Sequence, residues 1–253
     1  MLFRSHYRVG RKVTLAAGTT LLHVEEWVEN LLPFDRPVNW VQHATFGPPF
    51  VEPGKSFLDV SAVRGQVDSG GSPADSLRAG SLVEWPHGVA DTGERVSLSP
   101  FQPKAHSGTY FAVLLDRRRP QSFFTMYNDN FPVLIGYLFP TSDHPWLGDF
   151  QENQRIESKP WDGQVVTRGI EFGSTPFPEG LRRSVERGTM YGVPTYRWIA
   201  AGQRLETSFD IFLAEIPPRF SGVADVTADS GSIVIHERGS DRKISVPGGP
   251  VLK

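Results

Sequence analysis

Cysteine is absent from the 253 residues of this sequence. Disulfide bonds, thiolate catalysis and zinc sites built on cysteine are therefore excluded, and the absence is compatible with a reducing compartment. Long apolar stretches are also absent, since no run approaches the roughly 20 residues that a membrane-spanning helix needs. We therefore expect no membrane partner.

No sign of charge dominates the sequence. The 26 Lys and Arg residues face 28 Asp and Glu residues, which leaves a formal net charge of -2. Such a balance gives no reason to expect nucleic acid as a partner. The run Arg117-Arg118-Arg119 follows Asp116 and predicts a solvated hairpin tip.

Several motifs of site chemistry are missing as well. The seven histidines show no ligand spacing such as His-x-x-x-His, so we expect no metal site. No Gly-x-Ser-x-Gly elbow is present, which argues against serine hydrolase chemistry. No phosphate-binding Gly-rich loop precedes a helix.

Strand patterns make up most of the chain. We predict strands over residues 21–30, 38–46, 109–115, 122–127, 133–138, 164–171 and 205–216. Residues 232–237 and 243–246 flank a Gly-Ser-Asp turn and predict a terminal hairpin. Only residues 74–80 and 180–187 could carry a turn or two of helix. With 25 glycines and 21 prolines, these signals predict an all-β fold, a large antiparallel β-sandwich in a single domain over residues 1–253.

The first residues bear on localisation. Residues 1–12 lack the apolar core and cleavage site of a signal peptide, which favours a cytoplasmic protein. The first ten residues look like part of a strand region, and a sandwich without its opening strands would expose edges. We therefore expect a domain truncated at its N-terminus, a fragment or an alternative start of a longer protein, whose localisation would depend on what precedes Met1.

His43 is the first candidate for chemistry. It lies within a predicted strand, among aromatic residues and just before the Gly47-Pro48-Pro49 turn. A histidine there can give or take a proton near pH 7, since its ordinary pKa is about 6.5. The usual role of a lone strand histidine is structural. The polar neighbours Asn39 and Gln42, together with the rigid proline exit, favour a functional role.

Glu171 is the second candidate. It lies between Ile170 and Phe172 at the end of a predicted strand, where partial desolvation would raise its pKa from about 4.3. A raised pKa suits a general base. The alternative is a solvent-facing strand residue whose apolar neighbours point inward, so the value of Glu171 lies in its pairing with His43.

Residues 37–47, Pro-Val-Asn-Trp-Val-Gln-His-Ala-Thr-Phe-Gly, resemble the strand that carries the acid histidine of galactose mutarotases, the aldose 1-epimerase superfamily. In that family Val-Asn is followed by x-x-Asn-His-x-Tyr-Phe-Asn-Leu, and the spacing here matches at His43. Ile170-Glu171-Phe172, 128 residues later, resembles the family's base glutamate, often found in Leu-Glu-Pro. The resemblance covers about residues 11–216.

The sequence departs from the family pattern at three points. Gln42 replaces the family's Asn, and Phe46 is followed by Gly-Pro-Pro rather than Asn-Leu. The family also has another substrate-binding histidine well upstream, and His6 and His23 lie too close to His43 to fill that place. The matching piece would lie before Met1.

The resemblance implies a galactose mutarotase-like supersandwich that acts as a 1-epimerase on a free sugar or the terminal sugar of a glycan. Glu171 would take the proton of the anomeric hydroxyl while His43 gives one to the ring oxygen, and each transfer could supply roughly 10²–10⁴-fold. This chemistry needs neither a metal nor an organic cofactor. Gln42 and Phe46, beside the acid histidine, would bind the substrate.

Other polar and aromatic residues could line the same pocket. Trp146, Asp149 and Glu152 lie in one stretch and Asn128 in another, and both stretches combine rings or carboxylates with amides, which suit sugar hydroxyls. A polar loop leading to a strand is the alternative interpretation of the first stretch, and a plain turn that of the second.

Two other functions fit the same scaffold. A non-catalytic carbohydrate-binding module would need no acid/base pair, and a glycan hydrolase or lyase would use two carboxylates about 5–9.5 Å apart. Asp149 or Glu152 beside Glu171 would form such a pair. Fold alone does not choose among these functions, and the sequence predicts neither the sugar nor the oligomeric state.

Overall fold

The computed structural model describes residues 6–70, 76–101, 104–229 and 231–248. The strands of these residues are, in chain order, β1 Tyr7–Leu15, β2 Leu21–Asn30, β3 Arg36–Val38, β4 Val41–Phe46, β5 Ser56–Val60, β6 Ala62–Val67, β7 Leu82–Glu84, β8 His87–Val89, β9 Arg95–Ser97, β10 Ser107–Leu115, β11 Gln121–Asn128, β12 Val133–Pro140, β13 Trp146–Asn153, β14 Val166–Gly173, β15 Thr189–Met190, β16 Val193–Pro194, β17 Arg197–Ile199, β18 Arg204–Glu215, β19 Val223–Asp229, β20 Ser232–Glu237 and β21 Lys243–Pro247. The α-helix described is α1 Leu181–Arg187. The predicted all-β fold is confirmed.

Two large antiparallel sheets form the sandwich. The six-stranded sheet has the order β1-β2-β18-β12-β11-β5, and the eight-stranded sheet has the order β4-β14-β13-β10-β6-β7-β8-β9. Smaller sheets pair β15 with β16, β17 with β3, and β19 with β20 and β21. Adjacent strands of the two large sheets pair antiparallel, as the alternating sequence patterns predict.

Four local predictions can be compared with the structure. The helix predicted over 180–187 is α1, and the terminal hairpin is the antiparallel β20–β21 pair. Residues 74 and 75 lie outside the described residues, and residues 76–80 are not helical. The stretch that contains Trp146 and Asp149 is strand β13 rather than a polar loop.

The core between the two large sheets is rich in aromatic rings. Phe172 of β14 stacks on Phe139 of β12 with ring centroids 4.3 Å apart. Phe172 also contacts Phe124 of β11 and Phe209 of β18, with centroids 5.8 and 5.3 Å apart. Each fully buried side chain of this kind contributes about 1.5–3 kcal/mol to stability, so these contacts clamp the two sheets together.

Both outer faces are partly covered. On the six-stranded sheet, Ile233 and Ile235 of β20 pack on Phe212 of β18. On the eight-stranded sheet, Phe177 and Val193 belong to the segment that follows β14 and pack on Trp146. Coverage of the eight-stranded sheet is incomplete near its β4 edge, where half of the His43 side chain is exposed.

A buried ion pair ties the eight-stranded sheet to its neighbouring loop. Arg168 Nη2 of β14 lies 2.5 Å from Asp149 Oδ2 of β13, and both side chains are fully buried. The guanidinium also donates to the carbonyl oxygens of Leu98 and Ser99, at 2.9 and 2.8 Å. Because every contact of this charge is internal, the pair can be broken only at high cost.

Replacing Asp149 by Ala should lower the free energy of unfolding by about 3–5 kcal/mol, because Arg168 would keep a buried charge without its counter-ion. Urea denaturation at neutral pH measures this loss. Arg118→Ala is the control, since Arg118 pairs with Asp116 on the surface with its side chain 85% exposed and should cost under about 1 kcal/mol. Equal losses in the two variants would contradict the role given to the buried pair.

Candidate active site

His43 and Glu171 face each other directly across the β4–β14 pair. His43 Nε2 lies 3.2 Å from Glu171 Oε1, within ion-pair distance. Directly opposed residues of an antiparallel pair share one face of the sheet. The strand register therefore brings together two side chains that are far apart in sequence.

The pair lies on the outer face of the eight-stranded sheet, the face turned away from the six-stranded sheet. Strand neighbours on either side of Glu171, Ile170 and Phe172, are fully buried in the core between the sheets. Side chains alternate between the two faces along a strand, so Glu171 and its partner His43 point outward. The side chain of Glu171 is 16% exposed.

Tyr110 completes a group of three polar side chains. Its hydroxyl donates to Glu171 Oε2 at 3.2 Å and also lies 3.2 Å from the carbonyl oxygen of Pro176. To reach Glu171 from β10, the Tyr110 ring crosses Gly148 of β13: a Cβ added at Gly148 would lie 2.0 Å from the Tyr110 hydroxyl oxygen. The absence of a side chain at Gly148 is what lets the phenol reach the carboxylate.

A second glycine accommodates the imidazole. A Cβ added at Gly169 would lie 2.8 Å from His43 Cε1, so the His43 ring lies over bare backbone. His43 Nδ1 is 2.9 Å from Thr45 Oγ1 on the same strand. The imidazole is thus held by one hydroxyl and one carboxylate, while half of its side chain remains open to solvent.

Burial raises the pKa of Glu171, and the charge of Asp149 adds to that rise. The positive charge of His43 and the hydrogen bond from Tyr110 both oppose it. The sequence predicted desolvation of Glu171 by Ile170 and Phe172, but both side chains point into the core, away from the face that carries Glu171. Burial and the Glu171 charge raise the pKa of Tyr110 well above its usual value, so Tyr110 stays protonated and remains a donor.

Gln42 and Phe46 do not join this group, because each is an odd number of residues from His43 and faces the core. Gln42 is buried, accepts a hydrogen bond from Arg11 at 2.9 Å and donates one to Glu26. Phe46 packs against the core between the two large sheets. The structure therefore places neither side chain on the outer face beside His43, and their substrate contacts stay a prediction.

The remaining predicted pocket residues are buried, and their polar atoms serve the fold. Asp149 pairs with Arg168 on the inner face, and Trp146 donates its ring N–H to Pro194 at 2.9 Å. Glu152 is 1% exposed and accepts the backbone N–H of Ile156.

Asn128 is fully buried and donates to the carbonyl oxygen of Phe50 at 2.9 Å. Polar groups of all four residues thus make hydrogen bonds or ion pairs within the fold, and their substrate-binding roles stay predictions.

Within residues 6–70, 76–101, 104–229 and 231–248, no three or more His, Asp or Glu side chains are arranged to hold a metal ion. In that same part of the chain, no helix has the length and apolar character to cross a membrane.

No protein-family model and no curated protein matches the sequence. Solved structures do share its fold. A candidate aldose 1-epimerase from Klebsiella pneumoniae matches with a TM-score of 0.60 and 12% identity, over 86% of this chain and 49% of that one. A candidate aldose 1-epimerase from Escherichia coli K12 matches with a TM-score of 0.56 and 15% identity, over 84% and 63%.

A TPR-domain-containing protein from Parabacteroides distasonis has the same fold, with a TM-score of 0.54 and 9% identity over 85% of this chain and 32% of that one. The chain therefore has the all-β, galactose mutarotase-like fold that its sequence predicts. It spans about half the length of the Klebsiella protein. At these identities the likeness shows the fold alone.

Replacing Tyr110 by Phe should raise the pKa of Glu171 further. The hydrogen bond from Tyr110 stabilises the ionised carboxylate and so lowers the pKa of Glu171. Without that bond, the rise in pKa caused by burial is larger. A ¹³C NMR titration of the Glu171 carboxyl carbon measures the change directly. Tyr191→Phe is the matched control, because the Tyr191 hydroxyl donates to the carbonyl oxygen of Gly65 at 2.9 Å and does not contact Glu171.

Gly148→Ala gives the same test while keeping the phenol, since its new Cβ would push the Tyr110 hydroxyl away from Glu171. Gly47→Ala is its control, because the nearest atom to a Cβ there is 3.8 Å away. An unchanged or lower pKa of Glu171 in both Tyr110→Phe and Gly148→Ala would show that Tyr110 does not stabilise the carboxylate.

Proposed function

We propose that the protein is an aldose 1-epimerase that interconverts the anomers of a small sugar by acid/base ring opening. The observation that carries the proposal is the His43–Glu171 pair, an imidazole and a carboxylate 3.2 Å apart on an outer sheet face. Two structures with the same fold are candidate aldose 1-epimerases, which supports a sugar as the substrate.

In the proposed reaction Glu171 removes the proton of the anomeric hydroxyl, and His43, in its protonated form, gives a proton to the ring oxygen. The bond between C1 and the ring oxygen breaks, and an open-chain aldehyde forms. Rotation about the C1–C2 bond presents the other face of C1, and closure returns each proton to the group that first held it. Each positioned transfer contributes roughly 10²–10⁴-fold to the rate.

The two oxygens of Glu171 differ in how firmly they are held. Oε2 accepts from Tyr110, whose ring packs beside Phe177 with centroids 6.2 Å apart. Oε1 faces His43, which is half exposed and can turn outward. A sugar entering the site would therefore displace His43 from Oε1, and Oε1 is the oxygen that takes the proton.

A second candidate function is sugar binding without turnover. The direct contact between His43 and Glu171 favours this function. The two side chains must separate before a sugar can lie between them and exchange protons with both, whereas binding beside the pair needs no such separation. The two functions differ in one measurable property, since only the epimerase accelerates the exchange of anomers.

His43→Ala and Glu171→Gln should each abolish accelerated anomer exchange, with a loss of about 10²-fold or more, because each removes one of the two transferring groups. NMR exchange measurements or polarimetry on freshly dissolved α-glucose and α-galactose give the rates. His106→Ala and Glu186→Gln are the controls, since both residues are exposed and should leave the rate and the fold unchanged.

Unchanged exchange in both site variants would end the epimerase assignment. A wild-type protein that is stabilised against heat by a sugar, yet gives no rate enhancement, would establish the binding function instead. A wild-type protein that shows neither effect with either sugar would count against both functions for these substrates.

A further inference from the structure

A separate cavity of about 230 Å³ lies at the end of the sandwich where β12 ends and β13 begins. A single water molecule needs only about 10–15 Å³ of such volume. The hairpin tip after β10, the turn after β12, the end of β14 and the segment before β17 surround it. Its polar lining includes Arg117, Ser142, Asp143, Ser174, Tyr196 and Arg197.

Arg117 is the member of the Arg117-Arg118-Arg119 run that the fold leaves free. Arg118 pairs with Asp116 at 2.7 Å, and Arg119 pairs with Asp225. Within the part of the chain that the structure describes, Arg117 has neither a hydrogen bond nor an ion pair, and it lines the cavity. The predicted solvated tip therefore supplies one guanidinium that is available to a ligand.

Arg197 supplies a second guanidinium from the inner side. Its side chain is 27% exposed and lines the cavity, and its Nη1 atom lies 3.5 Å from Asp143 Oδ1 without a hydrogen bond. Burial and the nearby charge of Arg197 lower the pKa of His144 to about 3. His144 is therefore neutral and adds no positive charge to this end of the sandwich.

Ser174 offers a buried hydroxyl in the same lining. It is 2% exposed, and its oxygen accepts the backbone N–H of Trp40 at 2.8 Å. Since a hydroxyl can accept and donate at once, its hydrogen is available to an acceptor in the cavity.

The charges of the lining do not balance. Two guanidinium groups face one carboxylate, that of Asp143, and Asp143 Oδ2 already accepts the Thr207 hydroxyl at 2.9 Å. The cavity thus combines an excess of donors with an excess of positive charge. An oxyanion has the complementary property, because it is negative and only accepts, and the planar guanidinium fork matches its oxygens.

We propose that the cavity between Arg117 and Arg197 binds an oxyanion group, either tetrahedral or a carboxylate, free or carried on a larger molecule. Arg197 and Ser174 donate to it from within the fold, and Arg117 closes over it from the exposed side. The site is independent of the His43–Glu171 pair and of the function proposed for that pair.

Inorganic phosphate tests the site on the full chain, with sodium chloride holding the ionic strength constant. We expect a saturable rise in the unfolding temperature and measurable binding by titration calorimetry. Arg117→Gln should weaken the affinity about tenfold or more, because it removes a charged donor. Arg118→Gln, one position along the same tip, should bind as the wild type does.

Arg117→Gln should leave the fold unchanged, because Arg117 makes no hydrogen bond or ion pair within the described residues. Circular dichroism checks that the variant is folded. Arg197→Lys is the second variant: it keeps the charge, loses the fork and should also bind more weakly. Acetate and methyl phosphate, titrated in parallel, separate a carboxylate, a free phosphate and a phosphate ester as the preferred form. No saturable effect of any of the three anions, or equal affinity in wild type, Arg117→Gln and Arg118→Gln, would overturn the proposal.

Discussion

The pairing of β4 with β14 is the constraint on which the candidate site depends. A slip of one residue would turn His43 into the core and place a core-facing side chain of β4 beside Glu171, since the side-chain period of a strand is two. The register is held from the opposite face, where Ala44 and Phe46 pack with Ile170 and Phe172 of β14. The position of the polar pair is therefore set by apolar residues that never touch it.

The inner face of strands β13 and β14 serves stability, and their outer face carries the candidate site. On the inner face, Asp149 and Arg168 neutralise each other out of reach of solvent, and removing either should cost stability. On the outer face, Glu171 is held between a buried phenol and a half-exposed imidazole, with bare backbone beneath both rings. A mutation in one of these strands therefore affects the fold if the side chain points inward and the site if it points outward.

The fold was predictable because alternation is a local property: strands such as β2 and β18 follow directly from it. The pairing of His43 with Glu171 came from a family resemblance, and the register confirms that the two side chains meet. The sequence did not place Gln42 and Asp149 on the inner face, because a polar stretch along the chain mixes the two faces of a strand. Nor did the sequence identify Tyr110 as part of the site, because its contact with Glu171 crosses β13. The register between strands that are distant in sequence cannot be predicted from the local sequence.

The His43–Glu171 pair begins and ends the proposed reaction in the same two protonation states. The proposed ring opening requires a protonated His43 and an ionised Glu171, two groups whose Nε2 and Oε1 atoms lie 3.2 Å apart. After opening, both groups are neutral while the aldehyde rotates. Closure returns the proton of Glu171 to the sugar and that of the ring hydroxyl to His43. The cycle thus resets itself without exchanging a proton with solvent, which suits a pair on a half-open sheet face.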